Sequence, residues 1–394
     1  MVAQIDYWSE MSHTLVDKVI DHDYQLLEEL GHGSYGCLFL GQSLRDKTYV
    51  AVKALSKIGL DHQQRQLQQL EVDIQASLKH PSLLGLDRVI HEKDHIFLVM
   101  ELCDQGDLFD YVVREPLDDE ALIKSTFLQI LDAVAHMHKQ GVYHRDLKLE
   151  NVLLKSVNED DSDDFVCKVA DFGLATRERY SLEFGCGSTT YLAPEHFEED
   201  TADDQVLPYD AAASDVWSLG ILLLALMFGR NPWQEATNTD VAYREYQRKP
   251  AMLKKLFPQL SRPCARLLQS VLAVHSTDRP TVEEFKNMFG QLDHLLDCPT
   301  PLPAARSSCS SFEDEALALS MHLPMEIPSK LQASFDSAIF SSGMSWSDMV
   351  EEDFQRCSLS SRPSSIASSI VEEPEDEDDS VMFVHGQEKD SWWL

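Results

Sequence analysis

Positive charge is scarce in this 394-residue chain: 33 Lys and Arg stand against 67 Asp and Glu, a formal net charge of −34. So acidic a surface repels nucleic-acid phosphate and anionic membranes and attracts basic partners, so nucleic-acid and membrane binding are not expected. The excess is not evenly spread: residues 297–394 carry 19 acidic and 5 basic side chains, net −14, leaving −20 for the much longer stretch 1–296. Paired cysteines are also missing. The eight at 37, 103, 167, 186, 264, 298, 309 and 357 show no C-x-x-C pair and no zinc spacing. Scattered singles fit reduced thiols in a cytoplasmic or nuclear protein. The longest apolar run, Ile221–Phe228, is far short of the roughly 20 residues a membrane span needs. The first twenty residues lack a basic segment followed by an apolar core, so no secretory signal is expected.

What is present is a set of short motifs in a fixed order. Gly31-His32-Gly33-Ser34-Tyr35-Gly36 follows an apolar stretch and leads into Cys37-Leu38-Phe39-Leu40. Glycines at these positions let a tight hairpin lie over phosphates with its amides facing the oxygens. The same G-x-G-x-x-G spacing marks dinucleotide-binding folds, but those place a helix directly after the glycines, and here a strand pattern follows. Val50-Ala51-Val52-Lys53 is the next strand. Leu67, Leu70, Ile74 and Leu78 then recur at helical spacing, with Glu71 beside the stripe as a carboxylate able to hold Lys53. Ile96–Glu101 is a continuous apolar strand ending where the chain turns polar.

Asp118 or Asp119 can cap a helix whose buried stripe is Ile123, Phe127, Ile130, Val134 and Met137, with Gly141 as its stop. His136 and His138 near its end point to different faces, which suits solvated or packed histidines better than a metal pair. The helix delivers His144-Arg145-Asp146-Leu147-Lys148-Leu149-Glu150-Asn151. Asp146 and Asn151 can point into one cleft only if this loop curls. Twenty residues on stands Asp171-Phe172-Gly173, a second carboxylate before a backbone hinge. The acidic insert 157–164 lacks the central glycine and terminal glutamate of a calcium loop and reads as a solvated connection. Beyond about residue 295 periodicity stops, and Ser-rich sequence with acidic blocks such as 372–379 predicts disorder. Trp346, Met349, Val350 and Phe354, or the terminal Trp392-Trp393-Leu394, could dock a regulator.

Taken together, residues 24–292 resemble the eukaryotic protein kinase domain. The resemblance implies an α+β bilobal fold, with a small β-rich N-terminal lobe carrying one regulatory helix and a large, mainly helical C-terminal lobe. Residues 1–23 are then a loosely packed surface arm and 293–394 a disordered tail. Lys148 and Gly187-Ser188 before Tyr191-Leu192-Ala193-Pro194-Glu195 look like the serine/threonine branch. Residues 184–191 and 229–233 are similar to fungal meiosis-repressor and nutrient-response kinases.

The implied chemistry is in-line transfer of the γ-phosphate of ATP to a protein hydroxyl. Lys53, held by Glu71, positions phosphate, Asp146 is the base, and Lys148 steadies the γ-phosphate. Asn151 and Asp171 hold two Mg2+ ions, or Mn2+ in their place. The nucleotide pocket would comprise Leu30, Gly31, His32, Gly33, Ser34, Tyr35, Gly36, Cys37, Leu38, Ala51, Lys53, Met100, Glu101, Cys103 and Asp107. Glu195 would pair with Arg279, and Asp215 opens a further apolar helix. Arg145 implies an anion pocket, yet Phe184 stands where many kinases carry an activating phosphothreonine. Glu183, phosphorylated Ser181, or a segment ordered without phosphate are the alternatives. Asp107 and Glu150 match positions that recognise an arginine before the phosphoacceptor, with Ala225 where some relatives carry another acid. A monomer acting on protein substrates with basic residues before the phosphoacceptor is expected. The rival readings are a pseudokinase scaffold working through its tail, and an oxidoreductase resting on the glycine loop alone.

Overall fold

The computed structural model describes residues 7–33, 36–114, 119–157, 164–197 and 207–297, with 7–10 and 32–33 as backbone alone. Ser34, Tyr35 and the tail segments named above lie outside the described residues. The chain begins with helix α1 (Tyr7–Leu15) and strand β1 (Val19–Ile20). Strands β2 (Tyr24–Gly33) and β3 (Gly36–Ser43) form a hairpin closed by the Gly33/Gly36 pair, and β4 (Tyr49–Ser56) joins them. Helix α2 (His62–Ser77) precedes β5 (Leu86–His91) and β6 (His95–Glu101). The strands make one six-stranded antiparallel sheet in the order β1-β2-β3-β4-β6-β5.

The continuous apolar run of β6 is explained by cover on both sheet faces. Phe97 and Val99 point to one cluster, with Phe39, Val52, Met11, Leu15 and Ile20. Ile96, Leu98 and Met100 point to the other, with Ala51, Val72, Leu84 and Ala170. The first cluster corrects the expectation of a loosely packed N-terminal arm. Met11, Leu15 and Ile20 are buried in it, and β1 pairs with β2. An apolar sheet face otherwise open to water has recruited the preceding segment as its cover. Arg88 fastens the junction to Asp21 and Asp23, at 3.0 and 2.7 Å.

Helix α2 starts at a reciprocal capping box between Asp61 and Gln64. Its buried face carries Glu71, Val72, Ile74 and Gln75, while Leu67 is exposed. The apolar stripe read from sequence is therefore rotated: the helix turns a carboxylate inward because Lys53 waits there.

The C-terminal lobe contains α3 (Leu108–Arg114), α4 (Glu120–Lys139), the hairpin β7 (Val152–Ser156) and β8 (Phe165–Val169), and the short ribbon β9 (Tyr180–Ser181) with β10 (Tyr209–Asp210). Then come α5 (Ala211–Phe228), α6 (Val241–Arg248), α7 (Leu253–Leu256), α8 (Arg262–Val271) and α9 (Val282–Gly290). Asp119 caps α4 through the Ala121 amide, and the whole expected stripe from Ile123 to Met137 is buried. Gly141 then takes φ +69°, the left-handed turn that glycine adopts without strain.

Helix α5 is long and apolar enough to cross a membrane, but 78% of it is buried inside the lobe. Asp210 caps it through the Ala212 and Ala213 amides. A Cβ at Gly220 would lie 2.8 Å from the Val271 and Leu272 side chains, so glycine is what lets α8 approach.

Candidate active site

The cleft between the lobes collects the expected residues from seven separate segments. From the sheet, the Leu38–Lys53 and Ala51–Met100 register pairs place Leu38, Ala51 and Lys53 on the cleft face. Leu38, Cys103 and Leu153 pack against the cluster of Ala51, Leu98, Met100 and Ala170, an apolar lining suited to a flat heterocycle. Leu153, from β7, was not singled out by sequence reasoning. Its signal was only the alternation of a short strand. A Cβ at Gly36 would fall 2.3 Å from the Ala54 carbonyl oxygen, so the hairpin end closes over β4 only with glycine there. Leu30 and Gly31 lie in β2 on the approach to this end.

The hinge is tied by the Glu101 side chain. Its Oε1 accepts from the Gly85 amide and Lys168 Nζ, both at 2.8 Å, and its Oε2 from Lys155 Nζ at 2.8 Å. Burial works to raise this carboxyl, yet the two lysines and the amide outweigh it and hold it below the ordinary value. The sequence named Glu101 only as a member of the nucleotide pocket, not for this tie. Burial pushes the Cys103 thiol up to about 12, which leaves it inert as a nucleophile.

Lys53 Nζ lies 2.6 Å from Glu71 Oε1 and 3.8 Å from Asp171 Oδ1. Asp171 sits at φ +60°, a left-handed conformation that is costly for a non-glycine residue. Burial pushes its carboxyl up, but Lys53, the Gly173 amide and His144 prevail, and it stands below the ordinary value. The inter-lobe pairs are made, so the cleft is assembled.

In the loop 144–151, Asn151 Nδ2 donates to the Asp146 carbonyl at 2.8 Å and to Asp146 Oδ2 at 3.0 Å. Asp146 Oδ1 accepts from both the amide and the hydroxyl of Ser188, at 3.0 and 2.9 Å. Lys148 Nζ reaches Ser188 Oγ at 2.8 Å and Asp146 Oδ2 at 3.1 Å. The curl expected of the loop is present, and both acceptors share one mouth. A Cβ at Gly187 would meet the Arg145 carbonyl at 2.6 Å, so the residue before Ser188 must be glycine for this contact.

Asp215, fully buried in the first turns of α5, anchors the loop from below. Its Oδ1 accepts from the Arg145 amide at 2.8 Å; its Oδ2 accepts from the His144 amide at 2.9 Å and faces His138 Nε2 at 2.8 Å. Burial would raise the Asp215 carboxyl, but these donors, with His138 foremost, hold it low. His138 is therefore a packed histidine with a structural partner, whereas His136 stacks on His80 at 5.1 Å.

The closing element is Arg279, whose side chain is 0% exposed. It forks onto Glu195 at 2.6 and 2.7 Å and donates to the carbonyls of Ala273, Ala213 and Val274. His196, unassigned from sequence, accepts from the Gly185 amide at Nδ1 and lies 2.8 Å from Ser214 Oγ at Nε2.

Among the described residues no three His, Cys, Asp or Glu side chains converge as a metal cage. Asp171 and the Oδ1 left open by Asn151 offer two hard oxygen donors. That set fits a Mg2+ ion that arrives with a nucleotide and takes its other ligands from phosphate and water.

The family model described as "Protein kinase domain" matches residues 24–289. The chain belongs to the protein kinase family. The kinase is similar to the fission yeast Schizosaccharomyces pombe protein named "Negative regulator of sexual conjugation and meiosis", 33% identical over 81% of this chain and 70% of the relative. It is 36% identical to the S. pombe serine/threonine-protein kinase ksp1, over 65% of this chain and 54% of that one. It is 30% identical to human NUAK family SNF1-like kinase 1, over 71% of this chain and 40% of that one. The chain thus spans about half or less of the length of the latter two. It is a serine/threonine kinase with a regulatory role, using ATP and a divalent metal, generally Mg2+, on protein substrates.

Proposed function

We propose that this kinase transfers phosphate to serine or threonine preceded by a basic residue, and that it acts in the cytoplasm or nucleus on a nutrient, cell-cycle or meiotic signal. The observation that carries the substrate preference is Glu150, one of whose carboxylate oxygens is buried with no hydrogen-bond partner among the described residues. An orphaned buried carboxylate oxygen is costly. A guanidinium arriving with the substrate removes that cost. Burial raises the Glu150 carboxyl, and Asp146 and Asp110 add to the rise. Burial likewise pushes Asp107 up to about 6, with Asp110 and Glu150 contributing. Glu150 thus feels the negative charge of Asp146 and Asp110, and Asp107 that of Asp110 and Glu150. Ala225 is buried in α5 and brings no further charge.

In the proposed mechanism Asp146 accepts the proton of the substrate hydroxyl, held for that task by Asn151 and Ser188. Lys148 and Lys53 carry positive charge to the two ends of the transferring phosphate, and Glu71 fixes Lys53. Asp171 and Asn151 would hold the metal, two Mg2+ ions or Mn2+ in their place, which neutralises phosphate charge. Positioning and electrostatics dominate, as phosphoryl transfer requires. The proposed catalytic unit is 24–292, with 1–23 as an N-terminal extension whose Met11, Leu15 and Ile20 cover the sheet and 293–394 as a tail able to dock a regulator; the kinase works as a monomer. No observation favours the scaffold reading.

A positional peptide array with Mg-ATP tests the preference, with Asp146→Asn as the background. Arginine two or three residues before the phosphoacceptor should dominate, and Glu150→Gln should flatten that preference. A proline-directed or acidic optimum would refute it. Location is read from a fluorescently tagged full chain in fungal cells, and a membrane-bound pool would overturn it.

A further inference from the structure

We infer that Glu183 is a positioning residue that holds the activation segment to the catalytic loop through Arg145, so that the kinase is competent for transfer without phosphate on this segment. The Arg145 side chain is only 7% exposed, and a buried guanidinium persists only when its charge and donors are met. Its Nε donates to the Leu174 carbonyl at 2.6 Å, and its Nη1 donates to Glu183 Oε2 at 2.6 Å and lies 3.5 Å from Ser181 Oγ. The guanidinium therefore bridges the loop carrying Asp146, the stretch after Asp171, and the activation segment. Glu183 supplies the one anionic partner in that set.

The rest of the segment is built around the same contact. The Glu183 amide donates to Ser181 Oγ at 3.1 Å, fixing the turn that presents the carboxylate. Phe184 packs on Tyr209 and His196, with ring centroids 5.3 and 6.4 Å away. Gly185 continues at φ +72° and gives its amide to His196. Arg145 itself holds φ +67°, a strained position immediately before Asp146, so losing its tether displaces the residue next to the base. Ser181 is 3% exposed and paired in register with Tyr209. A phosphate carrying about −1.5 to −2 charges would have to break the β9–β10 ribbon to fit there. The carboxylate already occupies the anion position.

The test uses the full chain from a bacterial host, treated with a broad phosphatase, and a mixed Ser/Thr peptide library so that site preference does not enter. The expected result is retained transfer with no phosphate on residues 171–197 by mass spectrometry. Glu183→Gln should lower kcat about tenfold to a hundredfold, the range for a small misplacement of catalytic groups, with ATP KM changed less than twofold. Glu183→Asp should recover part of the loss, and Arg145→Gln should add little to Glu183→Gln. A phosphatase-treated parent without activity overturns the inference, whether or not the untreated chain is active. So does Glu183→Gln with parental kcat. If Glu183→Gln does not fold, the phosphatase arm and Glu183→Asp decide.

A different observation carries a second inference, which rests on the basic-site preference proposed above. Each of the three arginines beyond residue 297 has a serine two positions later: Arg306/Ser308, Arg356/Ser358 and Arg362/Ser364. Serine fills 21 of the 98 positions from 297 to 394, so three coincidences out of three are improbable by composition alone. We propose that Ser308, Ser358 and Ser364 are sites the kinase phosphorylates on its own chain. The hydroxyl oxygen of each attacks the γ-phosphorus of ATP, ADP leaves, and the hydroxyl proton passes to Asp146.

Phosphosite mapping after incubation with Mg-ATP should find these serines modified in the parent and unmodified in Asp146→Asn. Replacing the three arginines by alanine, with the serines kept, should cut the modification at least fivefold while library activity is unchanged. Unmodified serines beside an arginine-directed library result sink this inference alone. A library indifferent to arginine sinks the preference itself.

Discussion

Replacing Arg279 by methionine tests whether a buried charge pair or a backbone clamp holds the lower lobe to the substrate-binding segment. The wild-type guanidinium places two donors on Glu195 at 2.6 and 2.7 Å and three on backbone carbonyls at 2.9, 3.0 and 3.2 Å. Its carbon lies 4.9 Å from the Trp217 ring. Methionine keeps most of the volume and removes all five bonds. Three carbonyls lose a donor, and the Glu195 carboxylate, 14% exposed, loses its counter-charge. Breaking one side of such a pair costs roughly 3–5 kcal/mol. At about 2–4 °C per kcal/mol for a domain of this size, the melting point should fall by about 6–20 °C.

Glu195→Gln is the informative contrast. It leaves Arg279 with its three carbonyls and the indole face, so it should cost less, roughly 1.5–3 kcal/mol for a bond to a charged group. Methionine at both positions should recover part of the Arg279→Met loss by removing the stranded carboxylate. It should not recover all of it, because the carbonyls of Ala213, Ala273 and Val274 still lack the guanidinium donors. Urea unfolding followed by circular dichroism and indole fluorescence measures all three. If Glu195→Gln costs as much as Arg279→Met, the carbonyl clamp contributes nothing and this reasoning fails.

Three further outcomes are expected. A chain begun at Tyr24, where the family match starts, exposes the sheet face covered by Met11, Leu15 and Ile20. At about 1.5–3 kcal/mol per buried apolar side chain it should lose several kcal/mol and aggregate, measured by melting and light scattering. Glu101→Gln weakens the tie between hinge, Lys155 and Lys168, so ATP KM should rise a few-fold with kcat nearly unchanged in steady-state assays. Burial holds His196 down to about 4 from the ordinary histidine value of 6.5. Its neutral form contributes stability in full above pH 6.5, and this is lost as pH falls toward 4, reaching about 2 kcal/mol at pH 5 by linkage. His196→Gln should flatten the stability–pH curve by that amount between pH 7 and 5, and an unchanged slope would refute the assignment.

The motif residues were legible because their chemistry leaves little choice. A carboxylate, an amide and a second carboxylate in fixed order, with a lysine and glutamate upstream, have few other uses, and the structure gathers them into one cleft. The α4 stripe was legible for a simpler reason, since a long helix buried on one side writes its period into the sequence. Helix α2 was harder. Its buried face includes Glu71 and Gln75, which no hydrophobic count would select, and its most N-terminal leucine, Leu67, is exposed. The N-terminal cover was missed because Met11, Leu15 and Ile20 carry no pattern until the bare face of β3, β4 and β6 is known. His196 and the Glu101 side chain were missed for the same reason. Their meaning lies in partners far away in sequence, Ser214 for one and Lys155 and Lys168 for the other.

The catalytic loop shows why these long-range partners matter more than any single motif. Asp146, Arg145 and Asp215 are each costly to bury alone, yet each supplies what another needs. Asp215 takes the backbone amides of His144 and Arg145. The Arg145 side chain then takes Glu183, and Asp146 takes Ser188 immediately before the Thr189–Tyr191 turn. Removing one member strands a charge in low-dielectric surroundings, where an unpaired group costs more than a made bond contributes. The loop therefore has one well-satisfied arrangement, and that arrangement exists only while the activation segment is docked. Substitutions at Glu183 and Asp215 should consequently be non-additive in kcat, the double variant falling well short of the product of the single losses. Independent, multiplicative losses in steady-state kinetics would show that the two carboxylates act on separate structures, and the account of the loop as one electrostatic unit would fall.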